Sequence, residues 1–577
     1  MNNKKQKLEL TWIGKDREIN LEPRILVEVP EKNYGDTNTE NMLIHGDNLL
    51  ALKALEQEYS GKIKCIYIDP PYNTGSAFEH YDDNVEHSTW LSLMKARLEI
   101  LKNLLSDEGC IFVQIDDNEQ AYLKVLMDEI FGRNNFINCI SVKMSEASGV
   151  KMAHTEKRLP KLKEYILLYK KTNLLLNELK IKKDKWDDEY KTQIVDISRE
   201  ELNFVKEITK KETRTIAEIE KCKNILNKAN YKSLAQIYKE NNITSLTLQT
   251  KYNYENAYRI FQTVSMGSGT SLAINESRKK YCKNIFYPHL TSKNKMYIIK
   301  GDYDINMKKP RIQVLFADEY LTVNPCDLWN DIKTTGLDNE GCVDFKNSKK
   351  PEALIERVLT LASNKGDFVL DSFLGSGTTA AVAHKMGRRW IGIELGDHCY
   401  THCEPRLQRV VDGTDQGGIS KTVNWQGGGG YKFYELAPSL LKKDEFGEWI
   451  IEPKYDAEML AEAMAKNEGY KYSPDGNNPY KQGYSTEKDF IFTTTQFITA
   501  ELLNKIQHEL KEDESLLICT THYEENCIDK FSNITVKKIP QSLLKRCEFG
   551  KLEYNLNVTE ETQSQDTEED DDMEDDI

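Results

Sequence analysis

The sequence predicts an α/β fold, a parallel sheet covered by helices on both faces, within a chain of 577 residues that exceeds the size of one core. Three observations predict it. Strand-like and helix-like segments alternate on both sides of a long Lys- and Asn-rich interval. The β-branched run Ile63–Ile68 is stopped by Asp69-Pro70-Pro71-Tyr72, whose prolines fix φ and remove two backbone donors. A second short strand ends at Asp371 and runs through Gly375-Ser376-Gly377-Thr378 into a helix.

Taken in order, residues 1–40 read as an ordered arm with one strand, and they name no chemistry. Met42–Asp47 reads as a strand ending in a turn, followed by an amphipathic helix over Asn48–Tyr59. Asp47 has two readings, as the N-cap of that helix or as a strand-end carboxylate that meets a ligand. Trp90–Leu105 has helical spacing, Cys110–Ile115 is a strand, Asp116–Phe131 a helix and Glu164–Tyr169 a strand, completing a first half over 41–171. From 172 to 332 the pattern is interrupted by an insertion. It includes one charged helix expected over Ser198–Ala229, whose apolar stripe (Leu202, Val205, Ile208, Ile216, Ile219, Leu226) packs against a neighbouring helix. The α/β pattern resumes over 333–415 with a helix Pro351–Ser363, a strand Asp367–Asp371, a helix Ser376–Met386 and a strand Arg389–Glu394. A glycine-rich loop, either a linker or a mobile edge of the site, opens an α+β C-terminal domain over 416–559. Residues 560–577 are an acidic tail with almost nothing apolar to bury, expected to be disordered.

The net charge of −15 argues against a nucleic-acid partner only until the chain is divided. The tail holds eleven acidic and no basic residues, so the remainder carries −4. Between Lys251 and Lys300, nine Lys or Arg face two Glu. Together with Tyr252, Tyr254, Tyr258, Arg259, Arg278, Lys279 and Lys280, this stretch suits either a solvated face or contact with phosphates and bases. The tail itself reads as a solubilising extension or as a mimic that fills a basic groove. No run of eighteen apolar residues and no signal-peptide pattern occur, and the twelve cysteines lack disulfide or zinc spacing, which predicts a cytoplasmic protein with no membrane segment. His398, Cys399, His402 and Cys403 fall at helical i, i+4 spacing, but no further ligands accompany them. They are expected to pack, and no metal site is assigned.

Two stretches carry chemistry. The glycine turn after Asp371, with Glu394 at the end of the next strand placed to accept from ribose hydroxyls, taken alone also fits a dinucleotide fingerprint and a nicotinamide enzyme. The Asp-Pro-Pro-Tyr lip discriminates. Hydride transfer has no use for it, whereas methyl transfer to an exocyclic amine needs acceptors for the amine's hydrogens. The Asp69 carboxylate and Pro70 carbonyl can take the two hydrogens, localising the nitrogen lone pair for in-line attack. Tyr72 can stack on a base flipped out of a duplex.

The order Asp-Pro-Pro-Tyr, long insertion, then Phe-x-Gly-x-Gly resembles the permuted class of DNA amino-methyltransferases. Leu43–Leu55, Gly75–Asp83, Val423–Gly430 and Lys537–Gly550 resemble, more closely, the Mod subunits of type III restriction-modification systems. The resemblance implies a Rossmann-like, S-adenosylmethionine-dependent methyltransferase domain with an inserted target-recognition domain. Asp69, Pro70, Pro71 and Tyr72 would be catalytic, and Asp47, Asp371, Phe373, Gly375, Ser376, Gly377, Thr378 and Glu394 would bind the cofactor. Asp in place of Ser at the catalytic motif favours N6 of adenine over N4 of cytosine. Ser372 departs from the family's usual proline, which loosens the turn without removing a ligand. Double-stranded DNA, a Mod homodimer and a Res helicase-nuclease subunit are the implied partners. The alternatives are a solitary adenine methyltransferase, a catalytically idle recognition module, or a methyltransferase acting on RNA or protein.

Overall fold

The computed structural model describes residues 9–16, 20–73, 86–145, 159–183, 185–267, 274, 285–304, 307, 309–343, 349–528, 530–544 and 549. The chain divides into two compact units, Met1–Asn177 with Asp327–Ile577, and Glu178–Cys326. Gly75–Asp83, Arg278, Lys279, Lys280 and the acidic tail lie outside the described residues.

The first unit is built on an eleven-stranded sheet. Its principal strands in chain order are β1 (Leu26–Glu28), β2 (Met42–His45), β3 (Ile63–Ile68), β4 (Leu105–Ile115), β5 (Phe136–Lys143), β6 (Lys163–Lys170), β7 (Leu328–Trp329), β8 (Phe368–Asp371), β9 (Arg389–Glu394) and β10 (Gly430–Leu436). They lie in the order β1, β10, β2, β9, β8, β3, β4, β6, β5, β7, and residues 34–35 pair with the start of β10. The helices that matter to the site are α1 (Asn48–Tyr59), α2 (His87–Leu104), α3 (Gln120–Met127), α4 (Glu352–Ala362), α5 (Thr378–Lys385) and α6 (Glu404–Val411).

From β10 to β4 every pairing is parallel. The expectation of a purely parallel sheet needs correction, because β6 runs antiparallel to both β4 and β5, and β1 antiparallel to β10. Antiparallel neighbours require no crossover helix, so these additions extend the sheet without further βαβ units. The central strands are apolar on both faces, as a doubly covered sheet demands. Ile44, Ile66, Ile68, Ile111, Val113, Leu370 and Ile393 are wholly buried, with Leu52 of α1 and Leu98 and Leu101 of α2 packed among them. Each such side chain contributes about 1.5–3 kcal/mol by leaving water. The arm is tied to this layer by Trp12 Nε1, which donates to Ser92 Oγ at 2.8 Å, and by Lys15, paired with Glu129 at 2.8 Å.

Two further expectations change. The helix expected over Asp116–Phe131 starts later, at Gln120, and its last turn, Asp128–Gly132, is π-helical. The main sheet also passes the expected boundary at residue 415, since β10 is inserted between β1 and β2. The glycine loop before β10 is no domain linker, since β10 belongs to the main sheet, and it lies against α5 and α6. Gly428 donates its amide to Val411 O at 2.7 Å, and its carbonyl meets His384 Nε2 at 2.8 Å.

Beyond β10 a mixed five-stranded sheet follows, in which Asp489–Thr494, Ser515–Thr520 and Ile534–Lys538 are parallel, covered by helices Ala457–Glu468 and Ala500–Glu509.

In the second unit, a six-stranded antiparallel sheet, in spatial order Asn230–Ser233, Thr192–Val195, Ile260–Ser265, Arg311–Phe316, Met296–Lys300 and Phe286–Leu290, is covered by helices. The single helix expected over Ser198–Ala229 is two, Arg199–Lys210 and Ile216–Leu226. Each is started by a capping box, at Ser198 with Glu201 and at Thr215 with Glu218. Leu202, Val205, Ile208 and Leu226 enter the unit's core, while Ile216 is 82% exposed at the break. Tyr252, Tyr254 and Tyr258 are engaged within the unit: Tyr252 donates to Gln193, Tyr254 to the Lys183 carbonyl, and Arg199 lies over the Tyr258 ring.

Candidate active site at the strand ends

Four adjacent parallel strands, β2, β9, β8 and β3, end respectively near Asp47, at Glu394, at Asp371 and just before Asp69. The insertion therefore returns the chain so that the strand preceding the glycine turn lies beside the strand preceding the lip. The carboxyl edge of an open α/β sheet is where ligands of this architecture bind. The acids expected from sequence are brought to one edge.

Asp47 fills the N-cap role, accepting from Leu50 N at 3.0 Å, and its other oxygen lies 3.6 Å from the buried Arg97 guanidinium. Asn48 donates to Ser372 O at 2.7 Å and accepts from Arg97 Nε at 2.6 Å, which ties the start of α1 to the glycine turn.

The turn is closed by Asp371, which accepts from Phe373 N at 2.9 Å and from Thr379 Oγ1 at 2.6 Å. Burial pushes its pKa up to about 7 against those hydrogen bonds. Gly375 and Gly377 have φ of +56° and +80°, a region in which side chains strain the backbone. Gly375 N donates to Glu394 Oε2 at 2.7 Å. Glu394 Oε1 accepts from Leu395 N and Gly396 N and pairs with His398 Nε2 at 2.9 Å. Burial works to raise the Glu394 pKa, but His398 and the Gly396 and Gly375 amides hold it below the ordinary value. Phe373 packs into the main core. Ser376 and Thr378 face Arg406, whose Nη1 donates to Thr378 Oγ1 at 2.7 Å. Arg406 in turn belongs to a wholly buried charge network with Glu352, Lys385 and Asp415.

At the lip, Pro71 O accepts from the buried Trp90 indole at 2.9 Å, and Asn73, at φ +57°, donates to Glu119 at 2.8 Å. Tyr72 OH lies 2.6 Å from Asp69 Oδ1 and 2.7 Å from Glu164 Oε2. The Lys350 ammonium lies 2.9 Å from Asp69 Oδ2 and 3.5 Å from Glu164 Oε2. Gln114 donates to Glu164 at 2.5 Å and accepts from Tyr67. Burial raises the Asp69 pKa; Lys350 acts against that and the Glu164 charge with it. Burial would raise Glu164 as well, yet Lys350, Gln114 and Tyr72 hold it low. Sequence reasoning missed Lys350, Glu164, Gln114, Arg97 and Arg406. The only available signal was weak: Lys350 directly precedes the proline that opens α4, and Glu164 lies at the start of a strand that joins the sheet beside β4.

The edge fits a nucleoside-bearing cofactor. A Cβ added at Gly375 would meet nothing within 4 Å, so the turn's backbone is open on that side, and Glu394 sits one strand away as an acceptor. His398, Cys399 and Cys403 serve packing and the turn, Cys403 Sγ contacting Gly375 O at 3.0 Å. Among the described residues no group of His, Cys, Asp or Glu is arranged to hold a metal, and no helix is long and apolar enough to cross a membrane.

A parallel sheet with a glycine turn and an Asp-Pro-Pro-Tyr lip on adjacent strands is the arrangement that the resemblance ties to S-adenosylmethionine-dependent methyltransferases. The family model described as DNA methylase matches residues 63–404, and the chain belongs to that family. Enzymes of this family use S-adenosylmethionine as methyl donor. The chain is 40% identical, over 70% of its length and 55% of the relative's, to the probable type III restriction-modification enzyme HindVI Mod subunit of Haemophilus influenzae. It is 28% identical to the EcoPI Mod subunit of Escherichia phage P1, over 66% of this chain and 61% of that one. With the EcoP15I Mod subunit of Escherichia coli it shares 24% identity over 76% and 73%. The chain thus spans little more than half the length of the first two. Among solved structures, the M1.HpyAVI-SAM complex is similar at 14% identity and a TM-score of 0.30, over 63% of this chain and 98% of that one.

Proposed function

We propose that this chain is the modification and recognition subunit of a type III restriction-modification system, methylating N6 of an adenine flipped from double-stranded DNA. The observation that carries it is Asp69, an acidic acceptor at the end of β3 beside the glycine turn of β8. The relatives support the type III reading.

When bound, S-adenosylmethionine supplies an electrophilic methyl group on a sulfonium, which leaves as a neutral thioether. Glu394 is the acceptor for the ribose hydroxyls, and Gly375 lets the backbone approach the ligand. Asp69 and the Pro70 carbonyl hold the amine's two hydrogens and so fix its lone pair on the reacting side. Asp69 is also the nearest base for the proton that the nitrogen sheds. Tyr72, with its ring beside this acceptor, stacks on the adenine and offsets part of the few kcal/mol of unstacking. Pro70 and Pro71, anchored through Trp90, keep the acceptors rigid. Residues 178–326 are assigned target recognition, a Mod homodimer is the assembly, and a Res subunit is the partner for cleavage.

Expression in a host without other adenine methylation, followed by base-resolved mapping of both strands, tests this. N6-methyladenine on one strand of a short asymmetric site is expected. Its absence refutes the activity, and symmetric marking refutes the type III assignment.

A further inference from the structure

We propose that Lys350 is a positioning residue for the acceptor amine: its ammonium holds Asp69 Oδ2 where an amine hydrogen must bind, and moves onto Glu164 when the amine docks. The inference rests on the methyltransferase reading above and adds two residues that this reading does not use.

The geometry is a bridge with two donors and two carboxylates. Tyr72 OH spans Asp69 Oδ1 and Glu164 Oε2 at 2.6 and 2.7 Å, and Lys350 Nζ spans Asp69 Oδ2 and Glu164 Oε2 at 2.9 and 3.5 Å. Each Asp69 oxygen thus lies against a donor group, the single Tyr72 proton serving Asp69 or Glu164 at one time, and an arriving amine competes most directly with the ammonium at Oδ2. The lysine is the one that can leave at low cost. An ammonium carries three rotatable donors on a flexible stem, whereas the Tyr72 hydroxyl is fixed by its ring. Its destination is already within reach, and Gln114 holds Glu164 in place at 2.5 Å. The ammonium also lies 5.0 Å from the centre of the Tyr72 ring, on which the base stacks. It thus marks the amine's position in both hydrogen bonding and charge.

Charge gives a second reason. Asp69 accepts freely through both oxygens only when ionised, and Glu164 is a second carboxylate sharing its donors, so the pair repels unless a cation lies between them. Among the described residues the groups that act on Asp69 are Lys350, Glu164, the Tyr72 and Tyr67 hydroxyls and Asp371, and Lys161 lies 6.0 Å from the centre of the Tyr72 ring. Lys350 is the cation in direct contact. Removing it raises the pKa of Asp69, while removing the Glu164 charge lowers it.

The test uses the full chain carrying 13C at the aspartate carboxyls, with the Asp69 resonance assigned as the signal lost in Asp69→Asn. Relative to the parent, the Asp69 midpoint is expected to move up in Lys350→Met, down in Glu164→Gln, and little in Lys350→Arg. In methylation assays the acidic limb of kcat/KM follows the same directions, and Lys350→Met loses about tenfold or more at neutral pH by misplacing the amine, with partial rescue by Lys350→Arg. An unchanged midpoint in Lys350→Met, or a loss of rate that is the same at every pH, overturns the proposal. If that variant does not fold, an unchanged midpoint in Glu164→Gln overturns it. A parent that shows these midpoints but methylates no DNA refutes the proposed function while leaving the Lys350 pairing intact.

Discussion

Glu394 Oε2 accepts the amide of Gly375 at 2.7 Å, so the acid that ends β9 holds the turn that leaves β8. One carboxylate thus shapes the loop and, in the proposed function, also accepts from the ribose. Glu394→Ala is expected to weaken S-adenosylmethionine binding by tenfold or more in calorimetry. It should also lower unfolding stability by about 1–3 kcal/mol, because the Gly375, Leu395 and Gly396 amides lose their buried acceptor.

Asp69→Ala removes the amine's acceptor without touching the DNA-binding surface proposed for residues 178–326. Methylation should fall by on the order of a hundredfold or more. DNA affinity in a gel-shift assay should stay within about twofold, because phosphate contacts dominate affinity and none are removed. Methylation that survives the change would show that Asp69 is not the acceptor.

The glycines of the turn separate space from strain. A Cβ on Gly375 would meet nothing within 4 Å, whereas on Gly377 it would make ordinary van der Waals contact with the Cys403 backbone at 3.4 Å. Both substitutions incur the strain of positive φ, about 1 kcal/mol. Both are expected to lose stability through that strain alone, and Gly375→Ala to lose cofactor affinity out of proportion to it. Thermal melts with and without S-adenosylmethionine measure both.

Asp371 makes stability depend on pH. Its pKa rises on folding to about 7, so its favourable contribution is full below the unfolded carboxylate value and is lost as pH rises through 7. Asp371→Asn keeps the acceptor for Phe373 N and removes the titration. In denaturant unfolding between pH 5 and 8, the variant should gain on the parent as pH rises, by at most about 2.7 kcal/mol.

Glu352 lies between Lys385, at 2.9 Å, and Arg406, at 2.8 Å, all three without solvent exposure. Glu352→Gln leaves two buried cations short of a counter-charge and should destabilise the protein by about 3–5 kcal/mol. Because Arg406 also holds Thr378, cofactor affinity should fall in the variant measured below its melting temperature.

Why some of this was legible in the sequence follows from what each feature depends on. The strands Ile63–Ile68 and Arg389–Glu394 have the bounds their composition suggests, since Pro70 forbids continuation of the one and the second is a short apolar run. The lip and the glycine turn were legible because proline and glycine act on their own backbone. The antiparallel β6 was not, because an apolar strand carries no mark of its neighbour's direction. Lys350 and Glu164 meet Asp69 only through tertiary folding, across an insertion that sequence spacing does not reveal. The helix break at Thr215 was legible but overlooked, since Thr215-x-x-Glu218 is a start signal within an apparently continuous stripe.

Strand β10 closes one side of β2, and the contacts at its start join Asn41 to Gly430, 389 residues away. A ribosome adding about 5–20 residues per second therefore makes β2 and its partner about 20–80 seconds apart. For that interval the edge of β2 is a bare template for pairing with any passing strand. The yield of active enzyme should accordingly be governed by the pace of translation and by chaperone capture of the unfinished chain, before any property of the finished fold comes into play.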